Sequence, residues 1–152
     1  MSILQCDFSK PPQNATYSLL AVLLIPTGSG LATVEFDTST QTGPPMALGH
    51  IDFGDFPRNG SVAKNTVRIN DTTICTTCTF PRDKPFTLSA NLQIGASATA
   101  NFNLVGAGGL ATGSQDIPLF QSIASQFGEL KFYMGDPWSG SFYVSDIVVT
   151  RK

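Results

Sequence analysis

FTLSANLQIGASATANFNL, residues 86–104, decides the fold class. Phe86, Leu88, Ala90, Leu92 and Ile94 alternate with Thr87, Ser89, Asn91 and Gln93. After Gly95-Ala96-Ser97 the alternation resumes, with Ala98, Ala100, Phe102 and Leu104 set against Thr99, Asn101 and Asn103. A period of two sends one set of side chains to a buried face and the other to water. Two such runs joined by a short glycine-containing loop predict an antiparallel hairpin with one wet face.

Upstream, residues 17–25 (YSLLAVLLI) read as a buried strand. The run has the length of a signal-peptide core, and Gly30-Leu31-Ala32 would pass as a cleavage site. However, the preceding stretch holds Asp7, Pro11 and Pro12, with Lys10 its one cation. It is too short for a transmembrane helix, and no membrane association is expected. Residues 31–37 follow Gly28-Ser29-Gly30 and read as the second strand of a hairpin with it. Strands are predicted over 47–53, 62–70 and 72–80, with 54–60 (GDFPRNG) a turn-rich break and Asn70-Asp71 a turn. Residues 1–16, with Pro11-Pro12, read as an N-terminal arm, leaving 17–152 as a single β-sandwich domain.

Downstream, 105–113 is a glycine-rich connection and 118–127 is the one short helix predicted. Leu119, Phe120, Ile123 and Phe127 fall at helical spacing, Pro118 suits a first turn, and Gly128 can end the helix. Two last strands, 129–134 and 141–149, flank GDPWSG. In the final one Phe142, Val144 and Val148 are expected on one side and Tyr143, Ile147 and Val149 on the other. An apolar pattern on both sides predicts a covered strand. The whole is an all-β, jelly-roll-like antiparallel β-sandwich.

Only 13% of the 152 residues are charged, and the net charge is −2. That leaves no basic stripe for nucleic acid. Three cysteines form an odd set, so a secreted disulfide scaffold is not indicated. His50 is the lone histidine, no nucleophile elbow is present, and His50 reads as a polar residue on a strand face. Cys6, Cys75, Cys78 and His50 are ligand types for structural zinc, yet only the Cys75-Thr-Thr-Cys78 spacing supports such a site. Threonines around that pair favour strand or turn over the helix that activates a redox thiol. Two plain thiols or a local disulfide remain the readings. Acids gather mildly over His50–Asp55 and at Asp136 and Asp146, without calcium-loop spacing. Glu35 and Glu129, the two glutamates, sit in strand-like segments rather than across a cleft. No enzyme, cofactor or metal is expected.

Trp138, the sole tryptophan, lies in a Gly/Pro/Ser turn. It either folds back over the end of the sandwich or stacks on a ligand, with Tyr133, Tyr143 and Asp136 beside it. The ending Gly140-Ser141-Phe142-Tyr143-Val144-Ser145-Asp146-Ile147-Val148-Val149 resembles the closing strand of jelly-roll carbohydrate-binding modules. In those, a glycine leads into an aromatic-rich strand, then an acidic residue and aliphatics. The resemblance implies a jelly roll, glycan binding through exposed aromatics and often a structural calcium. The chain departs from that pattern in having one tryptophan and no run of platform aromatics. Two functions are therefore carried forward. The first is a structural protein decorating or cementing a viral (phage) capsid or similar assembly, in a virion or extracellular setting. The second is a carbohydrate-binding module using Trp138. The expected partners are a protein assembly or a second copy of the chain, and a glycan.

Overall fold

Residues 86–106 form the hairpin their alternation predicts. Phe86–Gln93 (β7) pairs antiparallel with Thr99–Gly106 (β8), and Leu88 faces Leu104 while Ala90 faces Phe102. The computed structural model describes residues 4–7 (by their backbone), 15–37, 47–95, 97–106, 114–120, 127–135 and 139–152. The other strands are Leu4–Asp7 (β1), Thr16–Leu24 (β2), Ala32–Asp37 (β3), Ala47–Arg58 (β4), Ser61–Ile69 (β5) and Thr73–Thr79 (β6). Gln115–Ile117 (β9), Glu129–Met134 (β10) and Tyr143–Arg151 (β11) follow. A six-stranded sheet runs β1-β10-β3-β4-β5-β6 and a five-stranded sheet runs β11-β2-β7-β8-β9, all antiparallel. The chain passes repeatedly from one sheet to the other. That is the jelly-roll sandwich expected.

The core lies between the sheets. Leu23, Leu88, Phe102 and Leu104 meet Phe36, Phe53, Leu130 and Phe132, all 2% exposed or less. Phe53 packs its ring against Phe80 and Phe86 at centroid distances of 5.6 and 5.5 Å, joining the two layers. Truncating such a ring costs about 3–5 kcal/mol.

Several expectations are corrected. The segments 17–25 and 31–37 do not form a hairpin, because β2 is flanked by β7 and β11 while β3 belongs to the other sheet. The link between them is tied elsewhere. Asp83 accepts from the Thr27 amide and hydroxyl, and Arg82 donates to the carbonyls of Pro26 and Ser29. Residues 54–58 are strand rather than a break, and the turn is confined to Asn59-Gly60. Their φ values of 47° and 78° suit a two-residue turn with both centres left-handed. A bulge at Asp55, whose carboxylate accepts from the Asn65 amide, disturbs the pattern there.

The expected helix at 118–127 lies, over 121–126, outside the described residues. Residues 118–120 are not helical: Asn70 Nδ2 donates to the Pro118 carbonyl, and the Phe120 amide donates to Leu48 O at 2.9 Å. Those groups are taken by β4 and by the turn after β5. The final strand is not covered on both sides but is the edge of the five-stranded sheet. Asp146, at φ 51°, makes a bulge between Ser145 and Val148 that reverses the alternation. Phe142, Val144, Ile147 and Val149 therefore pack on the core together, while Tyr143 and Val148 point out. Within the expected N-terminal arm, residues 4–7 pair with β10 as an edge of the six-stranded sheet.

Candidate polar binding face

Strand parity builds this face. In β3, Ala32, Val34 and Phe36 fill the core, which turns Thr33, Glu35 and Asp37 outward. Ile51 and Phe53 do the same for His50 and Asp52 in β4, Val67 and Ile69 for Arg68 in β5, and Leu130 and Phe132 for Lys131 and Tyr133 in β10. Register then aligns Tyr133, Thr33, Asp52 and Arg68 as one row across four strands, and Lys131, Glu35 and His50 as the next.

In the first row Thr33, Asp52 and Arg68 form a hydrogen-bond network. Asp52 accepts from the Thr33 hydroxyl at 2.8 Å on one oxygen and from Arg68 Nε at 3.0 Å on the other. Arg68 also donates to Asp71 Oδ1 at 2.9 Å and lies over the Phe56 ring, 4.7 Å from its centroid. Asn70 and Asp71 adopt φ of 51° and 61°, a turn that returns the Asp71 carboxylate to the sheet. His50 Nε2 stands 3.3 Å from Asp71 and 3.6 Å from Asp52, and the His50 amide donates to Asn70 Oδ1. Burial raises the Asp52 carboxyl above its ordinary range, against the opposing pull of Thr33, His50 and Arg68. Asp52 is buried, Arg68 half-buried and Asp71 exposed, so the network is anchored below and offered above.

The second cluster has a different balance. Lys131 meets Asp37, and lies 3.6 Å from both Glu35 and Glu129. Tyr133 donates its hydroxyl to Glu35 at 2.6 Å. Three carboxylates share one ammonium. Burial, aided by Glu35, pushes Asp37 up to about 6. Burial and Glu35 also hold the Tyr133 phenol far above its ordinary value, and the surrounding acids raise Lys131 despite its burial.

Beside Arg68 opens a groove of about 370 Å³ bordered by Leu31, Gly54, Phe56 and Arg82. Gly54 packs closely against it: a Cβ there would stand 3.0 Å from Leu31 Cδ1, so a larger residue would have to displace that side chain.

Of the residues singled out from sequence, Trp138 and Asp136 lie outside the described residues. Tyr133 is on the polar face, engaged by Glu35. Tyr143 projects from β11 on the opposite sheet, so the two tyrosines are not brought together. Cys75 and Cys78 form a disulfide within β6, which removes both thiols from a zinc centre with His50. Asp52, Arg68 and Asp71 were not singled out as a binding set. Their signal was charge at alternate positions in strands whose other residues are apolar. His50, Asp52 and Asp71 place three donor atoms within 4.8 Å of one another. Calcium, which the resemblance implies, does not fit there: Arg68 occupies both carboxylates and the remaining donor is an imidazole nitrogen.

No family model matches the chain, and no curated protein matches it. Solved structures do. CG-16, a homodimeric agglutinin from chicken liver, superposes with a TM-score of 0.58 at 11% identity, over 98% of this chain and 100% of that one. Lactose- and MES-liganded congerin II gives 0.58 at 9% identity, with the same coverage. A marine PL-14 alginate lyase from Aplysia kurodai gives 0.57 at 11% identity, over 95% of this chain and 72% of that one. At these identities the likeness concerns architecture, and binding proteins and lyases both use it. The chain has a galectin-like jelly-roll fold.

Proposed function

We propose that the chain binds glycans, without catalysis, through the outer face of its six-stranded sheet. The observation that carries this reading is the Thr33–Asp52–Arg68–Asp71 array, whose members hold one another in place before any ligand arrives. Sugar hydroxyls both donate and accept, and a fixed array of carboxylate and guanidinium meets them with little reorganisation. The groove beside Arg68 supplies room for a saccharide unit. The ligand class proposed is a neutral hexose oligosaccharide, because acids outnumber cations around Arg68.

The lyase neighbours raise an enzymatic alternative, and the side chains argue against it. A lyase needs a base able to take a proton from the sugar ring. Tyr133 donates to Glu35 and Lys131 is held among three acids, so both are already engaged by their neighbours. The fold neighbours, an agglutinin and a lactose-liganded protein among them, support glycan binding more than a capsid-decorating role. The pairing of β1 with β10 also places residues 4–7 in the chain's own sheet, unlike an arm reaching to another chain. A second copy of the chain remains part of this reading, since β11 is an edge strand exposing Tyr143 and Val148.

An array of neutral oligosaccharides, lactose included, tests the reading. Wild type is expected to be retained and Arg68→Ala to lose at least about tenfold in affinity, as charged hydrogen bonds of this kind are worth about 1.5–3 kcal/mol. Failure of wild type to bind any member, or equal binding by Arg68→Ala, contradicts it.

A further inference from the structure

Phe120 stands apart from eight other phenylalanines among the described residues. Phe36, Phe53, Phe56, Phe80, Phe86, Phe102, Phe127 and Phe132 are buried to 4% exposure or less, whereas Phe120 is 54% exposed. A lone exposed apolar residue is ordinary on a surface. This one stands beside the polar array: its ring centroid is 5.9 Å from that of His50, at an interplanar angle of 52°.

Its backbone is firmly seated. The Phe120 amide donates to Leu48 O at 2.9 Å, and Asn70 donates to the carbonyl of Pro118 two residues earlier. Ile117 and Leu119 settle over Gly49, where an added Cβ would stand 3.1 Å from Ile117 and 3.4 Å from Leu119. Asn70 thus ties three things together, holding the His50 amide, the Pro118 carbonyl and the turn that presents Asp71. The exposed ring and the hydrogen-bonding array are positioned by the same residues.

We propose that Phe120 is the aromatic platform of the glycan site: the C–H face of a pyranose ring stacks on it while Asp71 and Arg68 take the hydroxyls. The proposal rests on the glycan-binding reading and adds to it which residue contacts the apolar face of the sugar. A pyranose has one face of C–H groups and a rim of hydroxyls, and it needs an aromatic surface adjoining polar groups. Among the described residues the exposed large aromatics are Phe120 and Tyr143, and Tyr143 is on the opposite sheet. Within the described residues the segment after β9 therefore offers the platform, and Trp138 lies outside them.

The test uses the full chain and the neutral oligosaccharide array with lactose, comparing wild type, Phe120→Ala, Phe120→Trp and Arg68→Ala, each checked by circular dichroism for an unchanged fold. Phe120→Ala is expected to lose tenfold or more in affinity, Phe120→Trp to bind as well as wild type or better, and the new tryptophan emission to shift to the blue on saturation. Loss in Arg68→Ala with full binding by Phe120→Ala overturns the platform alone and leaves the glycan site standing. No retention of wild type on any member overturns both. Equal losses in Phe120→Ala and Phe120→Trp also overturn the proposal, because a platform tolerates a larger ring.

Discussion

The two outer faces of the sandwich arise from the same alternation and differ in what they hold. On the five-stranded sheet, Ser18 donates to Asn91, Asn91 to Asn101, and Ser89 to Asn103, a ladder of neutral groups between exposed Leu20, Val105 and Val148. On the six-stranded sheet, Asp52 and His50 are buried on an outer face, and ion pairs with acids in excess run across four strands. A neutral ladder keeps a protein soluble at little cost. Burying carboxylates is expensive unless each is met by a partner. That difference is why recognition is proposed for the six-stranded face.

The contrast is broken most forcefully at Asp52. Asp52→Ala removes the carboxylate that Thr33 and Arg68 share, leaving Arg68 with Asp71, and is expected to cost about 1.5–3 kcal/mol in urea unfolding. A cost below 1 kcal/mol would show that the network is as dispensable as the ladder. Next is Asp37. Its folded pKa of about 6 lies above the unfolded value of 3.8, so the proton is held more tightly in the folded state. The stability this confers is fully present below pH 3.8 and is lost as pH rises through 6. Asp37→Asn is therefore expected to raise stability at pH 7.5 by up to about 3 kcal/mol, with the gain fading toward pH 4. A gain that is flat with pH would place the strain elsewhere. Removing the Cys75–Cys78 disulfide as a double alanine variant should cost about 2 kcal/mol, since the loop it closes is short. The smallest effect belongs to the ladder: Asn91→Ala should change unfolding by no more than about 0.5 kcal/mol and leave glycan retention unchanged.

Legibility in the sequence followed locality. The β7–β8 hairpin could be read because its alternation and loop lie in one stretch. The Asn59-Gly60 turn carried a hairpin signature, but the Asp55 bulge and Pro57 broke the pattern before it, and β4 was cut short. In β11 one bulged residue, Asp146, exchanged the faces of everything after it, which no period count detects. The proposed binding face is the least legible. Thr33, Asp52, Arg68 and Asp71 come from separate strands and a turn, and only the register of β3, β4 and β5 brings them together. By its spacing to Ile123 and Phe127, Phe120 fits a helix core position. Hydrogen bonds to Leu48 and from Asn70, both remote in sequence, decided otherwise.

The central claim, that glycans bind the charged face and not the neutral one, is tested most directly by amide chemical-shift mapping during titration with the best-retained oligosaccharide. Shifts concentrated at Thr33, His50, Asp52, Arg68 and Asp71, with Ser18, Asn91 and Asn103 unmoved, are the result expected. Shifts centred on the five-stranded sheet would contradict the account.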